Sequence, residues 1–284
     1  MTKEQSQAES DRVAVDQSIT ELGVLLGAEA DVVANLIKEY APMLARVIET
    51  ARCMPEVMQK ALICLANEGW YLDWKEMSFS APAELAQMYF DGRKQEADAR
   101  LVEHFSNRLQ SIERELIGLY PKRAEIFRQA FDAHRQALFF VSVPTFLAQS
   151  DGICAEILRE HFFQKPKGAT HHFEKLSDAL NPLTKAMLAP FFDRTAIRLS
   201  QDLKSGKGRP RDFDKLNRHQ VLHGESCDYG TEVKALQAIS FVYYVAVTLS
   251  EVLERQSEGE RELDARNRSV SNTPSGTSES MLNK

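Results

Sequence analysis

The sequence predicts an all-α protein. Glycine and proline are sparse, with 13 and 10 occurrences among 284 residues, and the helix-favouring residues Ala, Leu, Glu and Gln recur along the chain. Apolar residues return every three or four positions in most segments, whereas no stretch of useful length alternates between apolar and polar residues as a half-buried strand does. The length suits one large domain or two modest ones. The patterns indicate a helical bundle with an additional helical region before it.

The N-terminal part begins with a polar segment, residues 1–12, which is predicted to be a disordered tail. Residues 13–120 are predicted to form a helical region, to which the sequence assigns no role. Within it, Pro42 should break or re-angle the chain, and Pro55 suits the first turn of a helix that Gly69 ends.

A helix start signal follows at Ser80 and Pro82, with a stop at Asp91 and Gly92. Residues 93–119 then predict one long amphipathic helix, because apolar side chains recur on one face. That face carries Leu101, Phe105, Leu109, Ile112 and Leu116. The opposite face is heavily charged and is predicted to be solvated.

The bundle itself is predicted over residues 121–256. Pro121 opens a helix that should run into the apolar block 137–148 and on to Phe163, with a kink at Pro144 because proline lacks an N–H. The apolar residues predicted to line its first part are Ile126, Phe127, Ala130 and Phe131.

The chain from residue 173 onward predicts further helices. One or two lie within 173–203, and Asp212 or Asp214 is predicted to cap a short helix that Gly224 ends. Thr231 is the predicted cap of the final helix.

That final helix is nearly apolar all round between Ala235 and Leu249. A helix without a polar face must be enclosed, either by its own domain or by a second subunit. Residues 257–284 then turn polar and are predicted to be a second disordered tail.

Composition and charge exclude several classes of protein. The formal net charge is −6, so any contact with nucleic acid must come from a local basic patch. The four cysteines have no paired spacing, which argues against a disulfide framework or a cysteine-based zinc site. No apolar leader opens the chain, and the block 137–148 is shorter than the roughly 20 residues of a membrane span. A cytoplasmic protein without a membrane partner is therefore expected.

One octapeptide concentrates the residues that carry chemistry: Asn217-Arg218-His219-Gln220-Val221-Leu222-His223-Gly224. Arg holds a phosphate or carboxylate in a fixed fork, and His exchanges protons near neutral pH. RNA supplies its own nucleophile, the 2′-OH. Its cleavage therefore needs a base, an acid and a cation, which His and Arg provide without a metal or cofactor. The candidate catalytic residues are Arg218, His219 and His223.

Helix geometry limits what these residues do within one chain. His219 and His223 are four apart and share a face. Arg218 and His223 are five apart and lie about 140° apart around the axis. Either Gly224 unwinds the last turn, or two copies of the helix face each other around one cleft. The apolar final helix makes a dimer plausible, so the second arrangement is favoured.

A basic stretch leads into the octapeptide and is a candidate for holding the RNA backbone. It comprises Lys204, Lys207, Arg209, Arg211 and Lys215. The alternative is an ordinary solvated loop, which Asp212 and Asp214 make less basic. The candidate substrate-binding residues are Asn217, Lys207, Arg209, Arg211 and Lys215.

The octapeptide resembles the signature of the HEPN superfamily, in which an Arg and a polar residue are followed by a few variable or apolar residues, a His and often a Gly. Residues 142–153 and 228–232 look like the flanks of a HEPN-type domain. The resemblance covers residues 121–256. Arg218 matches the Arg of this signature, and His223 matches its catalytic His. His219 matches the polar position after the Arg, which is most often Asn in the superfamily.

This resemblance implies an all-helical domain of the kind found in bacterial toxins, abortive-infection proteins and CRISPR-associated nucleases. Many such domains are metal-independent endoribonucleases that act as homodimers, with the Arg and His of both protomers in one site. The implied partners are RNA, a second copy and an antitoxin or phage-defence partner.

Other interpretations of the same residues stay open. His219 and His223 have the spacing of a zinc-binding pair, but Gln220 stands where a zinc protease has its Glu, so no metal site is predicted. His171, His172 and Glu174 are predicted to be solvated. Arg and His also interact well with a helix C-terminus for purely structural reasons. The alternative function is a non-catalytic helical adaptor that binds RNA or a partner protein.

Overall fold

In the computed structural model of this protein, the described residues are 30–158, 180–193, 195–199 and 213–271, with the isolated positions 13 and 17. Over this part of the chain the regular structure is helical, with eight α-helices and no strand. The predicted all-α class is therefore confirmed. The predicted tail 1–12 and the basic loop 204–211 lie outside the described residues.

The chain divides into two compact units, Met1–Pro55 and Glu56–Lys284. The sequence had instead placed a boundary near residue 120. Helices on both sides of residue 120 contribute to one hydrophobic core in the second unit. The octapeptide lies in this second unit.

Helix α1 spans Ala30–Asn67 and continues through both of its prolines, Pro42 and Pro55. The predicted break at Pro42 and the predicted new start at Pro55 are therefore wrong. A proline removes one backbone hydrogen bond from a helix, and the helical backbone continues past both prolines.

The end of α1 follows the prediction. Gly69 adopts φ +94°, and the N–H of Trp70 donates to the carbonyl of Leu65 at 2.9 Å. A left-handed residue with this backbone bond is the Schellman arrangement that closes many helices. Helix α2, Ala81–Phe90, ends in the same way at Gly92, which has φ +76°.

The first part of the connector between α1 and α2, residues 69–73, is buried. Trp70 and Tyr71 belong to the core. The indole Nε1–H of Trp70 donates to Asp98 at 2.8 Å, and its ring stacks on Phe105 with centroids 5.9 Å apart. These contacts attach the connector to the helix that follows α2, Lys94–Leu119.

Helix α3 spans Lys94–Leu119. Its apolar face is buried as predicted: Leu101, Phe105, Ile112 and Leu116 are at most 1% exposed, and Leu109 packs against the core. The charged face is only partly solvated, which corrects the prediction. The side chain of Arg108 is 14% exposed because it forms an ion pair with the buried Asp73 of the connector.

A 3-10 turn at Pro121–Arg123 precedes helix α4, Ala124–Arg135. Helix α5 spans Phe139–Leu158. The predicted continuous helix is therefore wrong, because Ala137 takes a left-handed φ of +57° between α4 and α5. Ile126, predicted to face the core, is 41% exposed.

Pro144 lies inside α5 and leaves the carbonyl of Phe140 without its helical donor, as the sequence predicts. The hydroxyl of Tyr229 donates to this carbonyl at 3.2 Å. The loop before the last helix is thereby tied to the beginning of α5. The predicted continuation to Phe163 lies outside the described residues.

Three helices complete the fold: α6 at Pro182–Phe192, α7 at Arg218–Leu222 and α8 at Glu232–Ser271. A 3-10 turn at Ala196–Arg198 follows α6. The hydroxyl of Thr231 accepts the N–H of Lys234 at 3.2 Å, which confirms the predicted cap. Helix α8 runs on to Ser271 and so corrects the prediction of a tail beginning at residue 257.

Helix α8 forms the centre of the second unit. Every residue from 235 to 249 is buried, and the helix packs against α5, α3 and α6 of the same chain. Residues Glu232–Glu251 have the length and apolarity of a membrane span, with a mean hydropathy of 1.4, but 83% of that window is buried inside the protein. The helix is thus enclosed by its own domain, and its composition gives no argument for a dimer.

Candidate functional site

The octapeptide forms a short helix that Asn217 caps. Helix α7 has five residues, Arg218–Leu222, and the Asn217 side chain accepts the N–H of Gln220 at 3.1 Å. The amide of Asn217 also donates to the carbonyls of Ala196 at 2.7 Å and Leu199 at 2.8 Å.

The identity of this cap corrects the prediction that Asp212 or Asp214 caps the helix. Asp214 is exposed and does not cap α7, and Asp212 lies outside the described residues. The side chain of Asn217 is 1% exposed, and its donors and acceptor serve the fold. Substrate binding by Asn217 would require these hydrogen bonds to break.

The C-terminal end of α7 follows the prediction. Gly224 adopts φ +72°. The N–H of Glu225 donates to the carbonyl of Gln220 at 2.8 Å, and the N–H of Gly224 donates to that of Val221 at 3.2 Å. These two bonds define a Schellman end, and they leave His223 at the exposed edge of the helix.

Arg218 contacts α5. Its Nη2 lies 3.3 Å from Oδ2 of Asp151, and the two side chains are 18% and 16% exposed. Burial lowers the pKa of Arg218 from its usual value, while the negative charge of Asp151 acts in the opposite direction. Asp151 belongs to the stretch 142–153, so this stretch and the octapeptide meet in space.

The two histidines form a stacked pair. Their ring centroids are 5.6 Å apart and the rings are inclined by 22°, which confirms that His219 and His223 share a face. His223 is exposed and His219 is half-buried. One chain therefore brings the imidazoles together, while the guanidinium of Arg218 is held against α5.

Of the predicted basic residues, only Lys215 is described. Its ammonium group forms an ion pair with Glu68, which also pairs with Lys94. Lys207, Arg209 and Arg211 lie outside the described residues, as does Lys204. One carboxylate is thus shared by two lysines, and it only partly neutralises the positive charge of Lys215 beside the octapeptide.

A cleft of about 360 Å³ beside α7 was missed by the sequence predictions. Its lining residues come from α7, from the chain on either side of it and from the start of α8. They are Phe213, Lys215, Leu216, Asn217, Gln220, Val221, Glu225, Ser226, Cys227, Asp228, Tyr229 and Lys234. The sequence signal that could have indicated the cleft is a pair of aromatic residues, Phe213 and Tyr229, close to the octapeptide in the chain.

Within the described ranges no three His, Cys, Asp or Glu side chains come together in a possible metal-ligand set. His171, His172 and Glu174 are outside these ranges.

Comparisons with protein families, with curated proteins and with solved structures found no match for this chain. The functional argument therefore depends on the geometry of α7 and its surroundings.

Proposed function

We propose that this protein is a metal-independent endoribonuclease of HEPN type that acts as a homodimer. The observation that carries the proposal is the exposed His223, stacked on His219 at the end of a helix that begins with Arg218. These are the acid–base and cationic groups that cleavage by a 2′-OH requires.

The stacked pair supports a site shared by two copies. In a phosphoryl displacement the attacking and leaving oxygens lie roughly in line on opposite sides of phosphorus. The base and the acid must therefore approach from opposite sides. Two rings stacked at 5.6 Å approach from one side only, so a second copy of His223 completes the acid–base pair.

Arg218 is assigned the stabilisation of the pentacovalent phosphorane. Preorganised charge is effective because it needs no rearrangement when the negative charge develops. The contact with Asp151 at 3.3 Å fixes where the guanidinium lies, which makes Asp151 a positioning residue. The HEPN resemblance extends this proposal to a cytoplasmic toxin or phage-defence effector, controlled by an antitoxin or defence partner.

The experiment is RNA cleavage by the purified full-length protein in EDTA. Wild-type protein should yield ends with 2′,3′-cyclic phosphate, and His223→Ala should lose at least about a hundredfold in rate, the usual contribution of one acid–base group. Gln129→Ala, an exposed change on α4, is the matched control. A substrate with 2′-deoxyribose at the cleaved position should be resistant. Equal rates for His223→Ala and Gln129→Ala would refute the assignment.

The second candidate is a non-catalytic adaptor that binds RNA or a partner protein. The observation that favours it is the structural use of the octapeptide: Asn217 caps α7, and Arg218 anchors it to α5. An adaptor would bind RNA without cleaving it in EDTA or Mg²⁺. It should lose binding when Lys207, Arg209 and Arg211 are all replaced by Gln.

A further inference from the structure

The cleft beside α7 lies on a different face of the helix from the stacked histidines. Asn217, Gln220 and Val221 line it, whereas His219 and His223 do not. Gln220 and His223 are three residues apart, which is less than one helical turn. A molecule held in the cleft would therefore lie next to the proposed catalytic edge without occupying it.

The aromatic residue Tyr229 lines this cleft and has a fixed position. Its hydroxyl donates to the Phe140 carbonyl that Pro144 leaves available, at 3.2 Å. Its ring also meets the ring of Phe140 edge-on, with centroids 5.1 Å apart. An aromatic ring held in this way is the kind of platform on which single-stranded nucleic acids stack their bases.

The charges of the cleft favour a neutral ligand. The lining holds two lysines, Lys215 and Lys234, and two carboxylates, Glu225 and Asp228, so its formal charges cancel. Lys234 lies 3.3 Å from the carboxylate of Asp228. The cleft therefore offers little net attraction to a phosphate group. A planar, uncharged group with polar edges is a better match.

Gln220 supplies the polar edge that such a group needs. The helix uses its backbone N–H, which donates to Asn217, and its carbonyl, which accepts from Glu225 and Ser226. Gln220 itself is a lining residue of the cleft. An amide offers one acceptor and one pair of donors side by side, and this pattern matches the N6 and N7 edge of adenine.

We infer that the cleft binds an adenine base, carried either by an RNA strand or by a free adenine nucleotide. Gln220 pairs with the edge of the base, and Tyr229 provides an aromatic contact. If the base belongs to an RNA strand, the inference rests on the proposed function. In that case the bound base places a neighbouring phosphodiester near His223, the proposed catalytic residue. Binding of the base itself does not require cleavage.

The test measures binding in the His223→Ala protein, so that cleavage cannot interfere. Labelled single-stranded oligoadenylate is compared with oligouridylate by fluorescence polarisation. Oligoadenylate should bind about tenfold more tightly, and Gln220→Leu should remove about that factor, as expected for one bidentate contact to a base. Gln129→Leu, outside the cleft, is the matched control and should bind as the parent does.

Two further measurements complete the test. Cys227→Trp places a bulky ring in the cleft lining and should also weaken oligoadenylate binding. Competition by AMP identifies the source: AMP that competes as well as the oligonucleotide indicates a free nucleotide, and much weaker competition indicates an RNA strand. Either result supports the base site.

The inference is overturned if Gln220→Leu and Cys227→Trp both bind oligoadenylate as the parent does, or if oligouridylate binds equally well. That failure is distinguishable from failure of the proposed function. If the protein cleaves RNA but its cleft does not prefer adenine, only the base site is refuted. If the protein prefers adenine but does not cleave RNA, only the ribonuclease proposal is refuted.

Discussion

Asp73 is a carboxylate with no exposed surface, and three groups satisfy it. Its Oδ2 accepts from Nε of Arg108 at 2.9 Å and lies 3.1 Å from Nε2 of His104, while its Oδ1 accepts the N–H of Lys75 at 3.1 Å. Burial raises the pKa of Asp73, but the hydrogen bonds from His104 and Arg108 and the charge of Arg108 outweigh it, so the pKa lies below its usual value. This residue joins the buried connector to α3.

We predict that Asp73→Asn destabilises the protein by about 2 kcal/mol, because a buried charge-assisted hydrogen bond to Arg108 is lost while Arg108 keeps its ion pair with Glu115 at 3.2 Å. Urea unfolding at pH 7 measures the effect. The control is Asp91→Asn, at an exposed carboxylate that accepts from Gln87, and its effect should stay within about 0.5 kcal/mol. Equal effects of the two variants would contradict this role of Asp73.

The same residue predicts a dependence on pH. A carboxylate whose pKa is lowered by folding stabilises the protein above its unfolded pKa, about 3.9, and loses that contribution as pH falls through the lower folded value. The difference in stability between wild type and Asp73→Asn should therefore be constant from about pH 7 to pH 5 and shrink only below about pH 4. If the difference in stability shrank near pH 6 instead, its pH dependence would come from a group other than Asp73.

At the scale of the elements, four helices end with the same backbone geometry, three at a glycine and one at an alanine. Gly69, Gly92 and Gly224 have φ of +94°, +76° and +72°, and Ala137 has φ +57°. Around Ala137 the N–H of Leu138 donates to the carbonyl of Ala133 at 2.8 Å, as in a Schellman end. The first three ends were predicted from their glycines, and the fourth was missed because nothing marks it.

We predict that Ala137→Gly stabilises the protein by about 0.5 kcal/mol. Glycine removes about 1–2 kcal/mol of strain from the left-handed backbone. It also increases the conformational entropy of the unfolded chain, and this offsets part of the gain. Thermal unfolding compares it with Ala148→Gly, an exposed position inside α5, which should cost about 1 kcal/mol. A loss of stability in Ala137→Gly would show that the turn at this position is not strained.

Gly69 and Gly92 form a second matched pair. A Cβ on Gly69 would lie 2.8 Å from Cδ of Gln237, whereas a Cβ on Gly92 would meet nothing within 4 Å. Gln237 is buried, and its amide donates to the Glu68 carbonyl at 2.9 Å. Gly92→Ala should cost about 1 kcal/mol from backbone strain alone, and Gly69→Ala at least about 1 kcal/mol more from overpacking. Equal costs in urea unfolding would mean that Gln237 moves aside freely.

At the scale of the whole molecule, the features that the sequence predicted correctly are those that local sequence signals determine. The apolar faces of α3 and α8, the glycine stops and the Thr231 cap depend on near neighbours in the chain, and their positions are correct. The cap of α7 was misplaced because Asn217 is fixed by Ala196 and Leu199, which the sequence does not place nearby. Long-range packing also explains the burial of Asp73.

In the candidate site, too, the sequence predicted the local features but not those that depend on long-range packing. The shared face of His219 and His223 follows from helical periodicity, and the structure confirms it. The contact of Arg218 with Asp151 and the cleft beside α7 depend on how α5 and the loop after α7 fold against the helix. No spacing within the octapeptide could have predicted either.

The central claim, a catalytic site that uses His223 of both copies and needs no metal, is tested most directly by mixing wild-type protein with an inactive variant. Wild type and His223→Ala are purified separately, mixed in equal amounts so that subunits exchange, and assayed for RNA cleavage in EDTA. A hybrid dimer holds one His223 and so lacks either the acid or the base. The account predicts that the mixture has about a quarter of the activity of the same total amount of wild type, because about a quarter of the dimers keep both copies of His223. A mixture with about half of that activity, with subunit exchange verified, would contradict it.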